Sequence, residues 1–199
     1  MSNPVPSATT KDRILDVAVS LFASAGFDGV SMRAIAAAVG IQAASLYNHF
    51  PDKEALYLGA MAHVFADKAR GISETACAPG LPEARLCHFI DRFAALMADD
   101  PSFRRLLQRE LLDGDERRLR LVAEHVFREP FEAISALARE LDPDCDPHML
   151  AISMAGLVLF HFETAPVRRF LPGVRAEQEE PSVIADHVKR LLSRALTRA

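Results

Sequence analysis

An all-α fold is what this sequence predicts: a small N-terminal domain of three short helices, followed by a larger helical domain. Three observations lead there. Apolar residues recur at helical spacing along almost the whole chain. No segment shows the strict alternation of a half-buried strand. Gly and Pro fall at intervals that start and stop segments of helix length, as in Asp146-Pro147 and Glu180-Pro181.

The first helix carries Ile14, Ala18, Leu21, Phe22 and Ala25 along one stripe, opposite Lys11, Asp12 and Asp16, and Gly26 stops it. Ser31 is placed to cap a second helix from roughly Met32 to Val39, its hydroxyl accepting an orphan backbone N–H. Gly40 then supplies the left-handed conformation a tight corner needs. A third short helix follows from about Gln42 to His49, Phe50-Pro51-Asp52 breaks the chain, and a long helix begins near Lys53. Beyond it, helices are expected at about 82–98, 101–113, 116–141, 147–164 and 181–197. Pro130 should kink or split the third of these, because it lacks an N–H and its ring clashes with the preceding turn.

Residues 147–162 are apolar nearly all round, so that helix must be buried on most sides. The last helix is amphipathic, with Ile184, Val188, Leu191, Leu192 and Ala195 on one face. One modest domain struggles to bury both, and a dimer interface built on the two late helices, about 147–164 and 181–197, would complete the burial.

Composition narrows the function. At 199 residues, 50% apolar and 25% charged, the chain is a globular protein rather than a disordered one. Its net charge of −4 excludes a nucleic-acid binder that works by bulk basicity. Four basic and four acidic side chains balance over residues 1–53, so any contact with DNA must come from a few placed residues. Cys77, Cys87 and Cys145 are an odd number without a CxxC pair, which fits a reducing cytosol, and each is expected to be buried. His88, His125 and His161 share no metal-ligand spacing. No phosphate-cradling glycine loop, zinc motif or nucleophile elbow is present, so neither an enzyme nor a cofactor is expected. Residues 1–9 lack the basic start and apolar core of a secretory signal and read as a disordered arm. The uncharged stretch from Pro147 to Phe162 is too short for a confident membrane span, which makes a cytoplasmic protein the expectation.

The segment from Ser31 to Phe50 has helix-turn-helix physics. Ala36 keeps the side chain small where two helices cross, while Ile35, Val39, Ile41 and Leu46 supply a compact inner face. Gly40 turns the corner and leaves small and hydrogen-bonding side chains on the second helix, the kind of surface a major groove accepts. Residues of about 11 to 58 resemble the N-terminal domain of tetracycline-repressor (TetR) family regulators. The resemblance rests on Ile14-Leu15-Asp16-Val17-Ala18, Leu21-Phe22, Gly26-Phe27, Ser31-Met32-Arg33-Ala34-Ile35-Ala36, Val39-Gly40-Ile41 and the run from Leu46 through Tyr47, Asn48, His49, Phe50, Pro51, Asp52 and Lys53 to Leu56.

That resemblance implies a helix-turn-helix DNA-binding domain over 10–56 and a helical effector and dimerisation domain over 57–199. It implies phosphate contacts from Ser31, Tyr47, His49 and Lys53, which position without reading sequence. Arg33, Gln42, Ala43, Ser45 and Asn48 would face base edges or lie beside them. A cation in the first turn of a helix is disfavoured by the dipole, so an outside anion is the expected partner of Lys53. The implied activity is that of a homodimeric repressor on a palindromic, double-stranded DNA operator, released by a small-molecule effector of unknown identity. Phe93, Met97, Met154 and Leu157, with Arg104, His125 or His161 as a polar handle, are candidates for its pocket, beside the plainer reading that they are core. Arg104, Arg105, Arg109, Arg117, Arg118 and Arg120 interleave with acids and read as a solvated, salt-bridged surface. A helical protein-interaction module with a degenerate head remains the alternative.

Overall fold

A computed structural model describes residues 9–196, and the fold is all-helical there, with no strand among the described residues. The helices are α1 (Thr10–Ala25), α2 (Met32–Val39), α3 (Ala43–His49), α4 (Lys53–Ala76), α5 (Pro82–Asp99), α6 (Pro101–Asp113), α7 (Glu116–Val122), α8 (Arg128–Leu141), α9 (Pro147–Glu163), α10 (Ala165–Arg168) and α11 (Pro181–Leu196). No helix is long and apolar enough to cross a membrane among the described residues.

Local chemistry sets most of these ends. Thr9, which the sequence assigned to a disordered arm, is instead the ordered N-cap of α1. Its hydroxyl accepts from the Asp12 N–H, while the Asp12 carboxylate accepts from the Thr9 backbone N–H. The rest of that arm, residues 1–8, lies outside the described residues. Ser31 caps α2 as expected, accepting from the Ala34 N–H at 3.1 Å, and Asp52 caps α4 by accepting from Ala55 at 2.7 Å. Gly40 takes φ 80° and ψ 32°, the left-handed corner between α2 and α3.

Pro130 splits its helix as anticipated. The chain runs α7, then a π-helical turn over Ala123–Phe127, then α8. The missing N–H and the bulk of the ring are accommodated by one wide turn just upstream of the proline.

By contacts the chain forms two compact units. Among the described residues, the first comprises 9–66 and 102–126 and the second 67–101 and 127–196. The division between the units falls inside α4, and α6 and α7 belong to the same unit as α1–α3. The core of the first unit includes Ile14, Ala18, Phe22, Ile35, Leu46, Leu56, Tyr57 and Met61, joined by Phe103 and Leu106. In the second unit α5 is the central helix, packed on α8, α9 and α11 through Phe89, Ile90, Met97, Leu137, Met154 and Val188.

The expectation that each cysteine is buried is corrected. Cys77 and Cys145 are exposed and Cys87 is only half-buried, because the first two lie in turns between helices, where no apolar layer covers them. The apolar helix α9 buries only Ala151, Met154 and Val158 within the chain. Met149, Ile152 and Phe160 stay exposed at 63%, 51% and 70%, so the described residues leave it partly uncovered.

Candidate nucleic-acid interface

The head is built so that α3 has one buried side and one open side. Leu46 is fully buried against the first unit's core, which leaves Gln42, Tyr47, Asn48 and His49 exposed and Ala43 and Ser45 half-exposed. Seven residues make under two turns, and Leu46 alone pins them from inside. Gln42 is the N-cap of α3 yet makes no capping bond with its side chain, so its amide is not spent on the helix. Tyr47 is 50% exposed, a large aromatic ring held out from a short polar helix. Ser31 and Arg33 are exposed at the start of α2. Ala36, only 2% exposed, leaves room for the close crossing of α2, as its small side chain implied.

Lys53 behaves differently from the argument made for it. Its Nζ donates to the carbonyls of Phe27 at 2.9 Å and Val30 at 3.2 Å and sits 4.2 Å from the Phe27 ring centroid. The ammonium already has inside partners at the first turn of α4, so no outside anion is needed to account for it. Two of its three protons hold the α1–α2 loop that leads into Ser31.

A buried polar cluster anchors α4 and the loop to α6 and α7. The Tyr57 hydroxyl donates to Glu110 Oε2 at 2.7 Å, and Glu110 is wholly buried. Arg118 donates from Nε to both Glu110 oxygens, at 3.2 and 3.3 Å. Its guanidinium also lies 4.4 Å from the centre of the Phe27 ring. Burial, reinforced by the bond to a carboxylate, pushes the Tyr57 phenol far above its usual range, so it stays a donor at any ordinary pH. Arg109 donates from α6 to the carbonyls of Ala23 and Ser24 at the end of α1, and Arg117 pairs with Glu54 at 3.1 Å. The arginine-rich stretch is therefore not simply a solvated surface. Arg109, Arg117 and Arg118 tie the unit together, and sequence reasoning missed them because the cluster depends on partners far along the chain: Arg109 meets carbonyls 85 and 86 positions away, and the Glu110 that holds Arg118 meets Tyr57 across 53.

The proposed effector residues divide between the two units. Arg104 and His125 belong to the first unit and Phe93, Met97, Met154, Leu157 and His161 to the second. Met97 and Met154 are fully buried, Phe93 stacks on Phe89 at 5.7 Å, and Leu157 and His125 are exposed. His161 lines a cavity described below.

Residues 14–60 match the family profile described as bacterial regulatory proteins, tetR family. The N-terminal head is that of the TetR family. The biofilm operon negative transcriptional regulator IcaR of Staphylococcus aureus (strain NCTC 8325) is 47% identical over 47 residues, covering 24% of this chain and 25% of IcaR. Its counterpart in Staphylococcus epidermidis is 40% identical over 55 residues, covering 28% and 30%. The matched segment thus spans between a quarter and a third of these relatives' length. Beyond the head, likeness is one of fold. A TetR-family regulatory protein from Rhodococcus RHA1 superposes with a TM-score of 0.75 at 18% identity, over 96% of this chain and 98% of that one. The fatty acid degradation regulator FadR from Bacillus halodurans gives 0.75 at 17%, over 91% and 96%. AibR, solved with isovaleryl coenzyme A and operator DNA, gives 0.69 at 22%, over 92% and 97%. The TetR fold, a helix-turn-helix head followed by a helical C-terminal region, therefore extends through the chain.

Proposed function

We propose that this TetR-type protein is a transcriptional regulator, most simply a homodimeric repressor that binds a palindromic operator and is released by a small molecule. The observation that carries the reading is the open side of α3: Gln42, Tyr47, Asn48 and His49 exposed around a fully buried Leu46, inside the segment that matches the family profile. Ser31, Tyr47 and His49 are assigned phosphate contacts, and Lys53 one more with the proton left after its two carbonyl bonds. Arg33, Gln42, Ala43, Ser45 and Asn48 are assigned to base edges or their margins.

Repression is favoured by the negative-regulator role named for IcaR, and a ligand-responsive operator binder by the complex in which AibR was solved. The exposed apolar residues of α9, together with Leu191 at 43% on α11, support a dimer through these helices. Two heads must then reach major grooves about 34–36 Å apart or a multiple of it, and a ligand that favours a differently spaced pair releases DNA. Phe93, Met97, Arg104, His125, Met154, Leu157 and His161 remain the residues proposed to meet the effector. The protein acts by binding, not catalysis, and works in the cytoplasm beside its DNA.

The test is a gel-shift titration of the full-length protein against the DNA flanking its own gene, with excess competitor. A specific complex that weakens steeply with salt and is weakened again by Tyr47→Ala, with folding intact, supports the reading. Failure to bind both that DNA and a random duplex pool at low salt would refute it in favour of a protein-interaction module.

A further inference from the structure

The second unit contains a cationic cavity of about 300 Å³ between α9, α10, the 3₁₀ turn over Ala176–Glu179 and α11. His161, Arg168, Arg175, Gln178, His187 and Arg190 supply its polar lining, and no carboxylate is among the lining residues. A second depression of about 210 Å³ shares His187 and Arg190 and adds Arg194. Four guanidinium groups are therefore set along one continuous stretch of surface.

Arg168 is the decisive residue. It is half-buried, and its recorded partners are both uncharged: Nδ1 of His161 at 3.0 Å and the carbonyl of Gln178 at 3.1 Å. Its Nε is shielded from solvent and has no hydrogen-bond partner. A guanidinium cannot shed its proton at any ordinary pH, and a partly desolvated one is normally met by a carboxylate or phosphate in a fork. Here the fork is fixed but the counter-charge is missing. Because a guanidinium only donates, His161 must accept at Nδ1, which places its own proton on Nε2 as a further donor. Acids flanking the cavity in sequence, including Glu163, Glu177, Glu179 and Asp186, are not among its lining residues, and Asp186 pairs with Lys189 at 2.9 Å.

We propose that this cavity binds a small, multiply charged oxyanion, a phosphorylated or polycarboxylate molecule, with Arg168 as the anchoring residue and Arg175, Arg190 and His161 as further donors. Two adjoining depressions suit an anion with more than one charged group. The inference does not depend on the DNA-binding reading, since the ligand is detected on the protein alone.

Isothermal titration of the full-length protein at low salt, with inorganic pyrophosphate and separately with citrate, tests it. Saturable binding of one anion per chain is expected. Tighter pyrophosphate identifies phosphoryl recognition and tighter citrate carboxylate recognition. Arg168→Met should weaken binding by about tenfold or more, Arg190→Ala by a smaller factor, and Arg105→Ala, which removes a charge from the other unit, not at all. Arg190 is exposed, so that variant decides the matter if Arg168→Met fails to fold. Absence of saturation overturns the proposal, as does equal weakening by Arg105→Ala, which would mean diffuse charge. A wild-type oligomer that dissociates in either variant would also overturn it, assigning the cations to a carboxylate of a second copy.

Discussion

The two compact units handle their polar and apolar groups differently. In the first, polar side chains are drawn inward and matched: Tyr57, Glu110 and Arg118 close one cluster, while Lys53 and Arg109 are spent on backbone carbonyls. Its exposed large apolar residues include Tyr47 on α3 and Leu111 and Leu112 at the end of α6. In the second, the buried Arg85 is met by the exposed Glu140, Lys189 meets the exposed Asp91, and α9 leaves much of its apolar surface outside. The contrast separates two requirements. A reading head must hold a short helix rigidly and keep its open side polar, which a buried hydrogen-bonded cluster helps to do. A helix left apolar on its open side offers a surface for contact beyond its own chain.

Breaking the inward cluster should have the largest effect. Glu110→Ala leaves the buried Arg118 and the Tyr57 hydroxyl without their shared acceptor, and a loss of about 3–5 kcal/mol is expected. Chemical denaturation checks this; a loss below about 1 kcal/mol would show that the cluster is not what holds the first unit together. The matching change in the second unit is Ile152→Glu with Phe160→Glu. Both positions are exposed in the chain, so its folding should be little affected, while a charge in an apolar contact between copies should shift the protein to monomer in sedimentation at micromolar concentration. An unchanged oligomeric state would remove α9 from the interface.

Ser31 offers a finer test of the head. Ser31→Ala should cost about 1 kcal/mol as a lost cap, whereas Ser31→Gly should cost only a few tenths. If both weaken operator binding equally, the hydroxyl acts on phosphate and not merely on Ala34. The smallest effect concerns pH. Burial, then the charge of Arg168, then His187 hold the His161 pKa below its usual 6.5. The unfolded chain therefore takes up this proton first, so the contribution of His161 to stability is full above pH 6.5 and is lost as the pH falls below it. Arg168, Arg175, His187 and Arg190 all surround the same cavity, so this part of the pH dependence should flatten in His161→Gln, whose side-chain oxygen can still accept from Arg168. A melting-temperature series from pH 7.5 to 5.5, identical in wild type and variant, would contradict it.

Much of the head was legible because its signals are short-range. Ser31 and Ala34, Gly40 and its corner, and Ile35, Val39 and Leu46 on one face each depend on neighbours within a turn or two. The same holds for the split at Pro130, where the cause lies in the residue itself. What escaped was every assignment that needed a partner distant in the chain. Lys53 meets carbonyls 23 and 26 positions away, and Arg109 meets α1 across 85 and 86. A lysine that faces a phosphate and one that faces a loop carbonyl have the same local sequence. The exposure of Cys77 and Cys145 escaped for a related reason, since small apolar character favours burial on average but cannot place a turn under a covering layer.

The sequence by itself determined the all-helical class, the position of the reading head and the surplus of apolar surface on α9, because periodicity, capping and turn chemistry act over a few residues and leave their period in the chain. Only the tertiary structure decided that α6 and α7 share a compact unit with the head, that Glu110 is buried, and that Arg168, Arg175 and Arg190 meet around one cavity. Side chains many positions apart are brought together by helix packing. The fate of a charge, whether solvated, paired or waiting for an anion, depends on which neighbours that packing supplies.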